Sequence, residues 1–240
     1  MSSTSIKKPH VLLIPWDPTS PKHVERLVQQ RIACGWDHEA VESWRATQES
    51  GEFNLQWIVL DSSDVETNAR LLKHAETFPQ EKEPLLDSAL SFGGKPRSVP
   101  SPQRSFVPVG HVSLGPVSQQ NLKAGYVKNE EGMYWIGVFY VSRALQGSRL
   151  GSAAMDTVEN IAISPPLNAK VLGLNAINKV EPGREEKYKA LGLTIPPFSN
   201  QEWYERRGYQ VFNNVEKLFA KVDSTDKTWT WDAVFLKKYI

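Results

Sequence analysis

The stretch Tyr134-Trp-Ile-Gly-Val-Phe-Tyr-Val141, Ser-Arg-Ala-Leu, Gln146-Gly-Ser-Arg-Leu-Gly151 holds the densest chemical signal in this chain. A strand that feeds through a short loop into the amino end of a helix leaves backbone N–H groups without internal partners. With the helix dipole, those groups make an anion site. Gly147 and Gly151 allow a ligand close to the backbone, and phosphate is the ligand type this suits. A Walker loop is excluded, because Gly151-Ser152 lacks the lysine and the spacing to the first glycine is wrong. The Gly-x-Gly-x-x-Gly dinucleotide fingerprint is absent here. A second group is Trp203-Tyr204-Glu205-Arg206-Arg207-Gly208-Tyr209, whose Tyr204 phenol, at an ordinary pKa of about 10, is a ready proton donor at neutral pH. Other reactive residues stand without the company they need. Cys34 has no His–Asp constellation, and His38-Glu39-x-x-Glu42 lacks the second histidine of a zinc-protease helix, so no metal is expected.

The surrounding pattern supplies elements to position these residues. His10 to Pro15 reads as a first strand, followed by two helices from Pro21 to about Ser50 joined near Cys34-Gly35-Trp36-Asp37; Val24, Leu27, Val28 and Ile32 set the helical spacing. Asn54 to Asp61 is a second strand. Between Ser62 and Ser105 the sequence is ambiguous: a short helix through Leu71 and Leu72, then a Gly-, Pro- and Ser-rich exposed loop through Gly93-Gly-Lys-Pro96 and Ser98 to Pro102. Strands resume at Phe106 to Leu114 and Met133 to Val141. A helix from Leu150 to Ile163 follows, with Leu150, Ala154, Val158 and Ile161 on its sheet side, then a strand from Ala169 to Ile177. After a polar, Pro-containing loop, Ser199-x-x-Glu202 has capping-box spacing and opens a helix that Gly208 stops; strands Tyr209 to Ala220 and Trp229 to Tyr239 close the chain. The order β-α-α-β-β-β-α-β-α-β-β argues for an α/β mixed sheet with helices on both faces.

A strand ending in Val141, four residues, then Gln146-x-x-x-x-Gly151 resembles the pyrophosphate loop of the GNAT superfamily of acyl-CoA-dependent N-acetyltransferases. Arg149 stands where that family usually has its first glycine, which leaves the local backbone geometry open. The Tyr204-Glu-x-x-Gly208-Tyr209 pattern and Gly110-His-Val-Ser-Leu114 are also similar to family elements, in the right order. The resemblance implies one N-acetyltransferase domain over residues 1–240, with an α+β fold whose central sheet is mostly antiparallel and has about seven strands. A loop-rich insertion would fall around residues 62–105. It implies acetyl-CoA as co-substrate and attack of an amine on the bound thioester. Val141 would meet the pantetheine arm, Phe139 and Tyr140 would line its slot, and Gln146, Gly147, Ser148, Arg149, Leu150, Gly151 and Ser152 would cradle the pyrophosphate. Asn175 and Asn178 are candidates to bond the amide-rich arm. Tyr204 would protonate the departing thiolate, with activity falling at high pH as the phenol ionises. No general base is assigned: the Met133–Val141 strand carries no glutamate, and His111 is weighed against a water relay.

The small-molecule amine is the favoured acceptor over a protein or peptide. A non-catalytic acyl-CoA-binding module is the reading from another class. Trp36 and Trp44, in the first helical pair, hint at an apolar acceptor, and core packing explains them equally well. A net charge of +1 gives no overall field for nucleic acid or an anionic membrane. With 40% apolar and 23% charged residues a globular core is expected, and the lone Cys34 points to a reducing compartment. The polar start through Lys7 and Lys8 has no apolar run behind it, so a cytoplasmic protein is expected, with a nuclear one left open, and a homodimer is compatible with all of this.

Overall fold

The computed structural model describes residues 8–195 and 198–240; the polar start through Lys7, and Pro196 and Pro197 of the loop before Ser199, lie outside them. Seven strands form the main sheet: β1 (Val11–Pro15), β2 (Leu55–Leu60), β3 (Pro108–Gly115), β4 (Met133–Val141), β5 (Val171–Ile177), β6 (Gln210–Val222) and β7 (Thr228–Tyr239). Their order is β1-β2-β3-β4-β5-β7-β6. Pairing is antiparallel between β1 and β2, β2 and β3, β5 and β7, and β7 and β6, and parallel between β4 and β5. The α-helices are α1 (Pro21–Cys34), α2 (Val41–Ser50), α3 (Thr67–Thr77), α4 (Gln119–Lys123), α5 (Leu150–Ile163), α6 (Arg184–Ala190) and α7 (Asn200–Arg206). The mixed sheet expected from the sequence is therefore present. No helix among the described residues is long and apolar enough to cross a membrane, and no group of three metal-ligating side chains is found among them.

The chain divides into two compact units, the first made of residues 8–116 and Ile136–Leu167, the second of Val117–Trp135 and Asn168–Ile240. In the first, Ile14, Trp16, Leu27, Val41, Leu55, Trp57, Val59, Leu85 and Phe106 form one apolar core. Gly35, in the left-handed region at φ +87°, ends α1, and its amide donates to the carbonyls of Arg31 and Ile32. That turn lets α2 follow where the sequence places it. In the second unit Val117, Val127, Met133, Val171, Ala233 and Phe235 pack together, with Trp135 tilted on Phe235. Ser199 and Glu202 form the capping box at the start of α7 as the sequence predicts.

Several expectations shift. The stretch 62–105 is more structured than a loop: α3 runs over eleven residues, Leu85–Leu86 pairs with Ser105–Phe106, and Ser91–Phe92 pairs with Lys95–Pro96. Arg97 donates to both oxygens of Asp87 at 2.7 Å, which ties the second hairpin down. Polar α6 stands where the sequence, lacking an apolar stripe, predicts a loop; none of its residues is buried. On α5, Leu150, Ala154 and Val158 are buried as expected, but Ile161 is 37% exposed, and Ala153, Met155 and Ala162 complete the inner face instead.

Candidate functional site

The loop after β4 begins with Ser142, whose amide donates to the Val109 carbonyl at 2.8 Å. Two tight turns follow: the amide of Leu145 donates to Ser142 O, and that of Ser148 to Leu145 O. Leu145 and Leu150 are buried and act as pegs, while Gln146, Gly147 and Arg149 between them are exposed. Gly147 has φ +81°, and a side chain there would meet nothing within 4 Å, so this stretch of backbone is open. Arg149 sits in the left-handed region at φ 64° and serves as the N-cap residue of α5. A cationic residue thus takes a backbone conformation that glycine adopts more readily, so the departure from the family's glycine leaves the turn intact.

The first intrahelical bond of α5 runs from the Ala153 amide to Arg149 O. Among the described residues the amides of Leu150, Gly151 and Ser152 therefore have no acceptor, and the first turn carries no acidic side chain. Three unpartnered amides, two of them on the partly buried Gly151 and Ser152, stand at the positive end of a fourteen-residue helix, an arrangement suited to an anion. The Ser148 hydroxyl is spent on the Leu145 carbonyl, so Ser148 shapes the loop.

The strand ahead of the loop is irregular. Val138 has φ 49°, a costly conformation for a β-branched residue, and it interrupts strict alternation: Ile136 and Tyr140 are buried, Val138 and Phe139 half-buried. Val141 is half-buried. Gly110 of β3 lies under its neighbour, where an added Cβ would fall 2.2 Å from the Tyr140 carbonyl oxygen, so only glycine fits. The Tyr140 ring lies 5.4 Å from that of His111, and its hydroxyl is buried without a hydrogen-bond partner. Burial first, and the Glu81 charge second, push that phenol well above its usual range.

Behind the strand lies a cluster the sequence did not reveal. Gln30 Nε2 donates to Glu81 Oε2 at 2.9 Å and to Pro108 O at 3.1 Å. Gln30 Oε1 lies 2.9 Å from His111 Nδ1, which therefore carries the ring proton and donates it, leaving Nε2 to face Arg31 Nη1 at 3.5 Å. His111 is fully buried, and desolvation followed by the Arg31 charge holds its pKa well below the usual imidazole value. With both nitrogens so engaged, it is a neutral packing histidine. Trp44 belongs to packing as well, against Phe53 at 5.2 Å and under Arg31. Burial raises the pKa of the Cys34 thiol. His74 Nδ1 lies 2.8 Å from Ser142 Oγ, and its Nε2 lies 3.4 Å from Glu81 Oε2.

The remaining candidates belong to the second unit. Asn175 stands opposite Phe235 on β5 and is half-buried. Asn178 Oδ1 accepts from the Val180 amide at 2.9 Å and so caps its own turn. Tyr204 on α7 is 7% exposed, its ring edge-on to Trp203 and Tyr209, and burial holds its phenol well above the usual range. Proton loss from such a phenol lies beyond ordinary assay conditions, so the fall in activity at high pH that an ordinary tyrosine would give is not expected from this one.

No family model matches the chain, and no curated protein matches its sequence. Solved structures do match. A probable acetyltransferase of the GNAT family from Chromobacterium violaceum aligns at a TM-score of 0.50 and 14% identity, covering 100% of this chain and 87% of that one. A GNAT family acetyltransferase from Elizabethkingia anophelis with acetyl-CoA bound aligns at 0.47 and 10% identity, over 97% of this chain and 100% of that one. An aminoglycoside 6'-N-acetyltransferase complexed with coenzyme A gives 0.47 and 10%, over 95% and 96%. At 14% identity the first of these likenesses is one of architecture, and it agrees with the strand order and the strand–loop–helix above: the chain has the GNAT acetyltransferase fold.

Proposed function

We propose that this chain is an acyl-CoA-dependent N-acyltransferase, working as one domain, that passes an acetyl group from acetyl-CoA to the amine of a small molecule. The observation that carries this reading is the row of unpartnered amides at Leu150, Gly151 and Ser152, at the head of α5 in a GNAT fold. A pyrophosphate there gains charge-assisted hydrogen bonds without displacing any existing ones. Arg149 adds a cation to the same turn. In the reaction the amine nitrogen attacks the thioester carbon, the C–S bond breaks, and the amine's proton is lost to solvent. The sulfur leaves as thiolate and takes a proton. Positioning both substrates supplies much of the acceleration.

Tyr204 is the donor proposed for the thiolate, on the strength of the Trp203–Tyr209 motif. Its raised pKa keeps the phenol protonated at every working pH. Tyr204→Phe is expected to lower kcat by about 10²–10⁴-fold while acetyl-CoA affinity holds. Wild-type turnover by the mutant would reduce Tyr204 to packing. The reading as a whole is tested by thermal unfolding with CoA or acetyl-CoA, followed by thiol release against a panel of small amines and N-terminal peptides. Ligand that binds the native state alone must raise the midpoint. No shift ends the proposal; a shift with no thiol release for any amine leaves a CoA-binding module; release only with peptides replaces the small-molecule acceptor.

A further inference from the structure

The loop has a second anchor, made by the segment that departs most from its sequence reading. Ser142 is fully buried at the junction of β4 and the loop, and three of its atoms are committed: the amide to Val109 O, the carbonyl to the Leu145 amide, and Oγ to His74 Nδ1 at 2.8 Å. His74, 1% exposed, belongs to α3, and the short turn Arg143–Leu145 packs against that helix. The other side of its ring faces Glu81, whose carboxylate is in turn held by Gln30. Nε2 approaches that carboxylate at 3.4 Å without a hydrogen bond, so among the described residues the one hydrogen bond of the ring is the Nδ1 contact with the Ser142 hydroxyl. The line Gln30, Glu81, His74, Ser142 thus runs from α1 to the first residue of the loop with no exposed member.

From this we infer that His74 is a positioning residue: through Ser142 Oγ it fixes the start of the Gln146–Ser152 loop in the register that presents its amides to the CoA pyrophosphate. The inference rests on the acyltransferase reading for the ligand, but not for the clamp. Because the two turns after Ser142 are chained carbonyl to amide, displacing Ser142 displaces each of them. One buried hydrogen bond is worth roughly a tenfold change in an equilibrium constant.

The decisive pair of variants is His74→Gln and His74→Asn. Glutamine places its amide near the position of Nε2 and keeps the contact to Glu81 while losing Ser142. Asparagine places its amide near Nδ1 and keeps Ser142. Ser142→Ala removes the same link from the other end by deleting one oxygen. Hydrogen exchange of the ligand-free protein is expected to show the hydrogen-bonded amides of Leu145, Gln146 and Ser148 exchanging about tenfold faster in Ser142→Ala and His74→Gln, and near wild type in His74→Asn, at unchanged protection of β7. In the same two variants the Kd for CoA and the KM for acetyl-CoA should rise about tenfold with kcat at saturation unchanged. The double variant Ser142→Ala/His74→Gln should be no worse than either single one. Equal behaviour of the Gln and Asn variants, or unchanged loop exchange in Ser142→Ala, overturns the clamp. A wild-type protein that binds no CoA overturns the acyltransferase reading, and the exchange data then judge the clamp alone. Faster loop exchange with unaltered CoA affinity overturns the link between the two.

Discussion

In the loop from Gln146 to Ser152 the useful polar groups are backbone amides left without partners, whereas around Glu81 they are side chains withdrawn from water and spent on one another. Both sets lie in the first unit, on either side of Ser142. Amides of Gly151 and Ser152 cost little to leave unpaired because these residues are only partly buried. Glu81, Gln30 and His111 would each be expensive to leave alone, because nothing but the cluster solvates them. Opposing charges are kept close: Arg31 meets Asp37 at 3.0 Å, and burial lowers the pKa of Arg26 while the Glu81 charge works against that shift. A site that must accept a ligand keeps its donors within a ligand's reach; the buried cluster spends most of its polar groups internally, while Glu81 Oε1, His74 Nε2, Arg26 Nη1 and Arg31 Nε stay without a hydrogen-bond partner among the described residues.

If that contrast is right, substitutions in the two regions should separate binding from stability. Glu81→Ala should be the largest blow to the fold, about 1–3 kcal/mol by chemical denaturation, since it empties a buried position and takes from Gln30 Nε2 one of its two acceptors. A loss below about 1 kcal/mol would mean the cluster is not the mutual network its distances describe. Gly151→Asp should move the two quantities in opposite directions. A carboxylate in the first turn of α5 suits the helix dipole, and replacing a helical glycine gains about 0.5 kcal/mol or more, so the melting temperature should hold or rise. Meanwhile CoA affinity should fall by about tenfold to a hundredfold by calorimetry, because charge and bulk occupy the phosphate's place. Parallel loss of both would erase the distinction.

The smallest expected effect is a pH dependence belonging to the buried side alone. Burial depresses His111 strongly and His23 to a lesser degree, while each titrates near 6.5 in the unfolded chain. Below about pH 6.5 the unfolded state binds protons that the folded state refuses. Stability present at pH 7 is therefore lost as the pH falls toward 5, with a slope of at most about 1.4 kcal/mol per pH unit for each histidine. His111→Gln should flatten that slope in urea titrations between pH 5 and 7. A slope identical to wild type would show that His111 is protonated in the fold after all.

The loop was legible because it is written in local terms: glycines, a strand before, an amphipathic helix after. The capping box at Ser199 and Glu202 was legible for the same reason. The cluster was not, because its residues are far apart in sequence and contradict the apolar rule that located the helices. On α1 the spacing of Val24, Leu27, Val28 and Ile32 identified a helix, yet Ile32 is 58% exposed while His23, Arg26, Gln30 and Arg31 face inward. On α3 Leu72 points out at 62% while Arg70 and His74 are buried. Arg70 is held there by Asp64 and Glu66. A polar residue is interior only if a partner waits for it, and no single-sequence pattern announces a partner fifty residues away. Tyr204 lies between these cases: its motif is local, and its burial, which moves its titration, is tertiary.

The hairpin around Gly93 and Gly94 carries a practical lesson. Both glycines are exposed and the sequence is polar, the kind of place chosen for splicing in a tag or reporter. Yet Gly94 rests on the end of α2, where a Cβ would come within 2.8 Å of Ser50 O, and one on Gly51 would come within 2.5 Å of Gly93 C and Gly94 N. Two backbones meet there with only hydrogens between them, so a graft at the tip would lever the hairpin off the helix and loosen the Asp87–Arg97 fork beside it. Residues 98–103, which are mostly exposed and hold no glycine, are the place where an inserted domain would disturb its host least.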